Sequence, residues 1–474
     1  MHNSTTLITL LLFALISACT HPDPNTQAQA GTSDDRSPRA LADDITIEPF
    51  MEIERGAIRL RLDPVSGDFF YNNMKGDIHR IYRSEETPRD EKIYTVEDHG
   101  VESLQGMYFS DSSIFLVGNK FYNDNRSTKG IVMRGDLTSE GTYAWDTLAI
   151  TELYGKPRTV YSHEFNGIAV SPDKQYIYVN SGARTDHGEV QDNDGLYPGL
   201  RESFLTACIF RLPINGKDIV LKDDSTFLAQ NGYLFADGVR NAYDLEFSPK
   251  GDLFAVSNSS DYDHPEDMFW LREGHHYGYP WVMGDIDNPQ QYPDWEPDPE
   301  KDPFVNTAAY AYTQKHFAND PNYPARPKNV TFTKPVMNYG PDANFYRDVE
   351  TGEVVDGDDT GKLVGTFTGH RSPLGLFFDQ DSVLAAPYKG DGFVLSYSNG
   401  ENSSLMRRLS MLGADLLHMK LEYKPDIDNY IVHCYRVVDN FLGPTDALML
   451  GNEVYVIENS GMIWKLTLPT DINV

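Results

Sequence analysis

The sequence predicts an all-β protein: a six-bladed β-propeller of four-stranded antiparallel blades with one long, loop-rich insertion. Three observations predict it. A short alternating apolar strand, a turn of Ser, Asp, Pro or Gly, and a second apolar strand recur six times along the chain. Successive copies stand at least as far apart as the roughly 40–50 residues that a four-stranded blade uses. No long amphipathic helical pattern interrupts them.

The elements follow in chain order. Leu7 to Ala18 ("LITLLLFALISA") is an apolar run too short to span a bilayer, and it leads directly to Cys19. The "ISAC" ending resembles a bacterial lipobox. Residues 1–18 are therefore expected to be a signal peptide, with Cys19 lipidated after cleavage. An ordinary secretory signal that happens to contain a cysteine is the alternative. Residues 19–45 are rich in Pro, Asp, Thr, Gln and Ala and read as a flexible tether from a membrane to a body spanning 46–474. Formal charge is −31, from 71 acidic against 40 basic residues. That balance opposes a nucleic-acid or anionic-membrane surface partner, either of which calls for clustered Lys and Arg. Cys208 and Cys434 remain; an exported location permits a disulfide, and a packed thiol in the strand "TACIFRL" is the other reading.

The six hairpins read "RLRLDPVSGDFFYNN", "GMYFSDSSIFLVGN", "GIAVSPDKQYIYVNSG", "DLEFSPKGDLFAVSNS", "GLFFDQDSVLAAPYKG" and "DALMLGNEVYVIENS". They begin at Arg59, Gly106, Gly167, Asp244, Gly375 and Asp446. The longest interval, from Asp244 to Gly375, holds the excess. Residues 275–365 there are rich in Pro, Tyr, Asp and Asn with little periodicity, and read as an insertion on one blade or as a seventh, degenerate blade.

A radial array gathers loops from every blade on its axis. His163 stands four residues before Gly167, in "SHEFNG". Arg240 stands four residues before Asp244, in "GVRNAYDLEF", with Asn241 beside it. Equivalent positions on adjacent blades face one cavity, so an imidazole and a guanidinium are expected to share a funnel. A lone loop histidine is otherwise most often a hydrogen-bonded structural residue.

"SHEFNGIAVSPDKQYIYV", "GVRNAYDLEFSPKGDLF" and "DHPEDMFWLREGHHYGYPW" resemble the soluble sugar and sorbosone dehydrogenases that use pyrroloquinoline quinone (PQQ), over about residues 50–470. The resemblance implies a six-bladed propeller that binds PQQ and Ca²⁺ on its axis and oxidises the C1 hydroxyl of an aldose to a lactone, outside the cytoplasm. It implies that His163 is the general base, which suits an imidazole. Arg240 and Asn241 would grip the cofactor, Arg240 facing the developing quinol oxyanion. Lys389, in "APYKGDGFV", would face the cofactor's acidic edge. "SNSSDYDHPED" would supply carbonyls to Ca²⁺ near Ser260 and Asp261, an arrangement that calcium's six to eight oxygen ligands permit. The electron acceptor is left open.

Departures from the pattern qualify this. Ala183 replaces an acidic residue of the family, and Gly443 and Thr445 stand where it has two arginines that bind cofactor carboxylates. Arg184 or Arg371 would have to substitute from other blades. A cofactor-less binding propeller of the same lineage, recognising a glycan or a protein, is the alternative function. A metal-dependent lactone hydrolase on a similar scaffold is disfavoured, because the axial loops offer His and Arg rather than converging carboxylates.

Overall fold

Six strands line a common axis: Ala57–Leu62, Ser103–Ser110, Phe165–Val170, Ala242–Phe247, Pro373–Phe378 and Pro444–Leu450. Each packs against the next and the last against the first, which closes a ring of six antiparallel blades. The start of every hairpin read from the sequence falls in one of these strands. In the computed structural model the described residues run from 37 to 471, apart from 158, 160, 192–194, 261–262, 293–294, 301–306, 308–314, 316–319, 321, 349 and 399–412. The expected signal peptide and Cys19 lie outside them. Among the described residues no helix is long and apolar enough to cross a membrane.

The hairpin between each innermost strand and its neighbour shifts register at one shared depth. The shift lies between Ala57 and Arg59, Leu104 and Gly106, Phe165 and Ile168, Ala242 and Asp244, Pro373 and Gly375, and Pro444 and Asp446. A bulge bends a strand and re-aims its side chains, so six bulges at one level turn six positions toward the axis. Space there is short. A Cβ on Gly106 would stand 2.2 Å from the Asn166 carbonyl oxygen, and one on Gly167 2.6 Å from that of Ala242. Glycine is what these strands can carry there.

Blade 1 is complete within residues 57–94, as the strands Ala57–Leu62, Phe69–Asn73, Ile78–Tyr82 and Arg89–Tyr94. Blade 6 is not. Its outermost strand is Thr46–Glu52, from the other end of the chain, which pairs antiparallel with Met462–Thr467. Among the described residues blade 4 has three strands, Ala242–Phe247, Leu253–Ser257 and Asp267–Leu271. The apolar core is divided into wedges, one between each adjacent pair of blades. Each inner strand buries side chains on two flanks, which holds the axis rigid.

The insertion clasps blade 4 from both sides. His275–His276 adds in parallel to the outer strand of blade 3 at Leu234–Asp237, and Met337–Asn338 adds in parallel to the outer strand of blade 5 at Asn429–Asp439. The described part of residues 275–365 therefore belongs to the propeller and builds no further blade.

One expectation changes, and one open alternative is decided. The packed body begins before residue 46: Arg39–Ala40 pairs with the edge of blade 5, Arg39 forms a two-pronged ion pair with Asp439, and Ala42 and Ile45 enter the wedge between blades 5 and 6. The apolar residues of "ALADDI" are enough to dock a segment whose composition reads as tether. Cys208 and Cys434 are both free, buried thiols, in the wedges between blades 2 and 3 and between blades 4 and 5.

Candidate active site

Just above the bulges the axis opens into a pocket enclosing about 830 Å³, mouth included. Each blade contributes to its lining: Met74, Gln105, Asn166, Asn241, Ser372 and Thr445 represent blades 1 to 6. His163 and Arg240 line it too, so the structure brings His163, Arg240 and Asn241 together, as their equivalent positions before adjacent inner strands imply.

His163 is held by its backbone, whose N–H donates to the Ala183 carbonyl at 2.9 Å. Its Nε2 is shielded from solvent and has no hydrogen-bond partner. Burial, and then the positive charge of Arg240, hold its pKa well below the usual imidazole value. The ring is therefore neutral at neutral pH and offers a lone pair, which a general base requires.

Arg240 is 5% exposed and its fork is engaged. Nε donates to the Asp186 carbonyl at 2.7 Å, Nη2 to Asp186 Oδ1 at 2.7 Å and Nη1 to the Asn258 carbonyl at 3.0 Å. Asp186 is fixed in turn, since Glu189 accepts from the backbone N–H of Asp186 at 3.0 Å and of His187 at 2.8 Å. His187 Nδ1 lies 3.1 Å from Asp186 and 3.4 Å from Glu189. Burial works against its charge, but the two carboxylates prevail and raise its pKa. Beyond the loop, the insertion locks this wall from outside: Asn288 Nδ2 and the Tyr323 hydroxyl both donate to the His187 carbonyl at 2.8 Å.

Asn241 sits in a chain of buried carboxamides. Asn180 Nδ2 donates to Asn166 Oδ1 at 2.7 Å, Asn166 Nδ2 to Asn241 Oδ1 at 2.7 Å, and Asn241 Nδ2 to Asn258 Oδ1 at 3.0 Å. The chain ties blade 3 to blade 4 at the level of the pocket. Sequence reading missed Asp186, Glu189 and Asn258. The acidic pattern "TDHGE", directly after "NSGAR", was the available signal for the first two.

The other expected residues stand elsewhere. Lys389 lies on the turn joining Pro373–Phe378 to Gly392–Ser396, at the opposite end of the inner strands from His163; its side chain is 53% exposed and its Nζ is 3.6 Å from Asp471. A hairpin turn closes the far end of its strands, so no register could bring it to the pocket. Ser260 is buried and its hydroxyl is 3.0 Å from His264 Nδ1, while Asp261 lies outside the described residues. The nearby Asp263 is committed to Arg347 at 2.9 Å and His370 at 3.0 Å. Neither proposed substitute arginine serves the pocket: Arg184 donates to the Gly155 and Arg201 carbonyls, and Arg371 grips Asp415 with 2.6 Å contacts to both oxygens.

The residues present fit PQQ unequally. Its quinone edge would meet the unpartnered Nε2 of His163 and the positive charge of Arg240. For its three carboxylates the lining offers Thr445 but no cation besides Arg240, the only lysine or arginine among the described lining residues. Strong charge-assisted partners for them are missing from the lining.

The fold and site define a closed six-bladed propeller with a neutral imidazole in its axial pocket. No family model and no curated protein sequence matches the chain. Solved structures match in fold. The holo PQQ domain of pyranose dehydrogenase from Coprinopsis cinerea superposes with a TM-score of 0.53 at 12% identity, covering 92% of this chain and 98% of that one. Apo soluble aldose sugar dehydrogenase from Escherichia coli gives 0.52 at 14%, over 90% and 99%. A putative oxidoreductase (glucose dehydrogenase) from Thermus thermophilus gives 0.51 at 16%, over 89% and 99%. At these identities the likeness is one of fold.

Proposed function

We propose that the chain is a PQQ-dependent dehydrogenase that oxidises the C1 hydroxyl of an aldose to a lactone, exported and anchored through a lipidated Cys19. The observation that carries this reading is His163 Nε2: buried, neutral, without a partner, and set beside Arg240 in a pocket lined mostly by carboxamides and hydroxyls, with His370, Met74 and Leu374 among them. Such a lining suits a neutral, hydroxyl-rich substrate. His163 would take the hydroxyl proton at Nε2 as hydride leaves the same carbon. PQQ, when bound, would supply the two-electron acceptor for that hydride. Arg240, braced by Asp186, would hold positive charge near the acceptor's oxygens as they gain negative charge. Asn241 would hold the cofactor edge at the seam of blades 3 and 4. Ca²⁺ is expected at the Ser260–Asp261 loop, and no step is assigned to it.

A second reading, a cofactor-less binding propeller, is favoured by Gly443 and Thr445 in place of cations. Titrating the protein with PQQ and Ca²⁺ while recording its absorption separates the two, because only the first reading expects a bound quinone chromophore. On PQQ-loaded protein, His163→Ala should lower aldose turnover by about 10²–10⁴-fold with PQQ retained. Arg240→Ala should cost about 10²–10³-fold, and Arg240→Lys should restore little, since a point charge does not replace a planar fork. Near-normal turnover in His163→Ala would overturn the assigned base. Cys19→Ser should release the mature protein from the membrane fraction; if it stays there, the anchor is elsewhere.

A further inference from the structure

Blade 1 carries a second cluster, apart from the axial pocket. Glu54 lies just before the inner strand, Asp77 in the turn after Phe69–Asn73, and His79 in Ile78–Tyr82. One ligating atom from each lies within 4.8 Å of the others.

His79 makes this more than an acidic patch. The residue is 4% exposed and stacks on Tyr71, with ring centroids 4.5 Å apart. Its Nδ1 is 2.9 Å from the Tyr71 hydroxyl and 3.1 Å from Asp90 Oδ1. The Tyr71 proton is already donated to Asp90 Oδ2 at 2.6 Å. Nδ1 therefore faces two acceptors and carries a ring hydrogen, so in the neutral ring the lone pair is on Nε2, and only a second ring proton or a metal ion can stand between Nε2 and Glu54. Nε2 is buried, makes no hydrogen bond, and faces Glu54 Oε2 at 3.4 Å. A lone pair set against a carboxylate oxygen calls for a cation between them. A carboxylate holding the far nitrogen of an imidazole is the arrangement that orients metal-bound histidines.

Lys92 already brings positive charge to the spot. Its Nζ is 3.0 Å from Asp77 Oδ2 and 3.7 Å from Glu54 Oε2. The side chain is 40% exposed and can swing out.

We propose that His79 Nε2, Glu54 and Asp77 bind a divalent transition metal of the zinc class, displacing the Lys92 ammonium. One imidazole and two carboxylates suit Zn²⁺ better than Ca²⁺ or Mg²⁺, which take oxygen alone. Three protein ligands leave a fourth position for water. The binding would pin the turn from Asn73 to Asp77, whose Met74 lines the axial pocket.

The test uses metal-stripped mature protein titrated with Zn²⁺ in competition with a chromogenic chelator. We expect one site-specific equivalent, weakened in Glu54→Gln alone and lost in the double variant Glu54→Gln with Asp77→Asn, Glu54 being the more exposed of the two at 42%. Asp90→Asn should weaken binding about 10–100-fold by releasing the ring. Lys92→Gln should tighten it. Wild type that binds no Zn²⁺, or a double variant that binds it as wild type does, overturns the proposal. So does Lys92→Gln that loses thermal stability with no gain in affinity, because the ammonium is then the resident counter-ion.

Discussion

At the mouth of the axis, His163 keeps Nε2 without a partner in a lining where carboxamides and hydroxyls predominate. A step further down the same strands, charge is dense and almost wholly compensated. Arg59 reaches across the axis from blade 1, with Nη1 3.4 Å from Asp244 Oδ1 of blade 4, Nε donating to the Gln105 carbonyl at 2.9 Å, and its guanidinium 4.2 Å over the Tyr243 ring. Arg61 pairs with Asp446 and lies 3.6 Å from Asp244. Asp446 also accepts from the backbone of Leu60 at 2.9 Å, and Asp244 from that of Leu376 at 3.0 Å. Two cations and two carboxylates from three blades plug the channel and floor the pocket, since Gln105 and Tyr243 belong to both layers. The contrast separates structural from functional polarity. The lower layer meets its charges with opposite charges from other blades, whereas His163 Nε2 is left without a partner at the edge of an open pocket.

The largest expected effect breaks the lower layer. Arg59→Ala leaves Asp244 beside Asp446 with one cation fewer at a site closed to water. Removing one partner of a buried pair costs about 3–5 kcal/mol. Denaturant unfolding should show a loss of that order, whereas His163→Ala in the same assay should shift stability by less than about 1 kcal/mol. A loss below about 1 kcal/mol for Arg59→Ala would mean that the plug is not structural.

A middling effect comes from the wall between blades 4 and 5. Burial raises the pKa of Glu266 to about 8 and that of Asp267 to about 7. Both folded values lie above the unfolded ones, so the native state binds more protons. The stabilisation is full below about pH 4 and is lost as pH rises through 7 and 8. Unfolding free energy should fall by roughly 2–4 kcal/mol between pH 6 and pH 9. Glu266→Gln, which does not titrate, should flatten that slope; an equally steep profile in the variant would place the proton uptake elsewhere.

The legibility of these layers follows from the range of their interactions. The six hairpins could be read because alternation and turn chemistry are local, and each starting residue proved to lie on an inner strand. His163, Arg240 and Asn241 could be read because repeat register converts sequence position into angular position about the axis. Arg59 and Asp446 were visible only as strand starts, since their partners come from other blades. Asp186, which braces Arg240, lies in a loop with no repeat register to place it. The outermost strand of blade 6 hid for the same reason: Thr46–Glu52 finds its partner at the opposite end of the chain.

Lys389 marks the limit of reading by resemblance, and its variant carries the smallest expected effect. The local string "APYKGDGFV" matches, yet the turn it forms lies at the far end of the inner strands, below the plug. Its only ion pair, among the described residues, is with Asp471 at 3.6 Å, both side chains more than half exposed. Such pairs are worth about 0–1 kcal/mol. Lys389→Ala should therefore leave unfolding free energy within about 0.5 kcal/mol of wild type and leave the PQQ absorption titration unchanged. The titration is the sharper of the two measurements, because Arg59, Arg61, Asp244 and Asp446 stand between this turn and the pocket. A variant that folds normally but no longer takes up PQQ would mean that the cofactor is held from the other face, and that the unpartnered nitrogen of His163 is not its address.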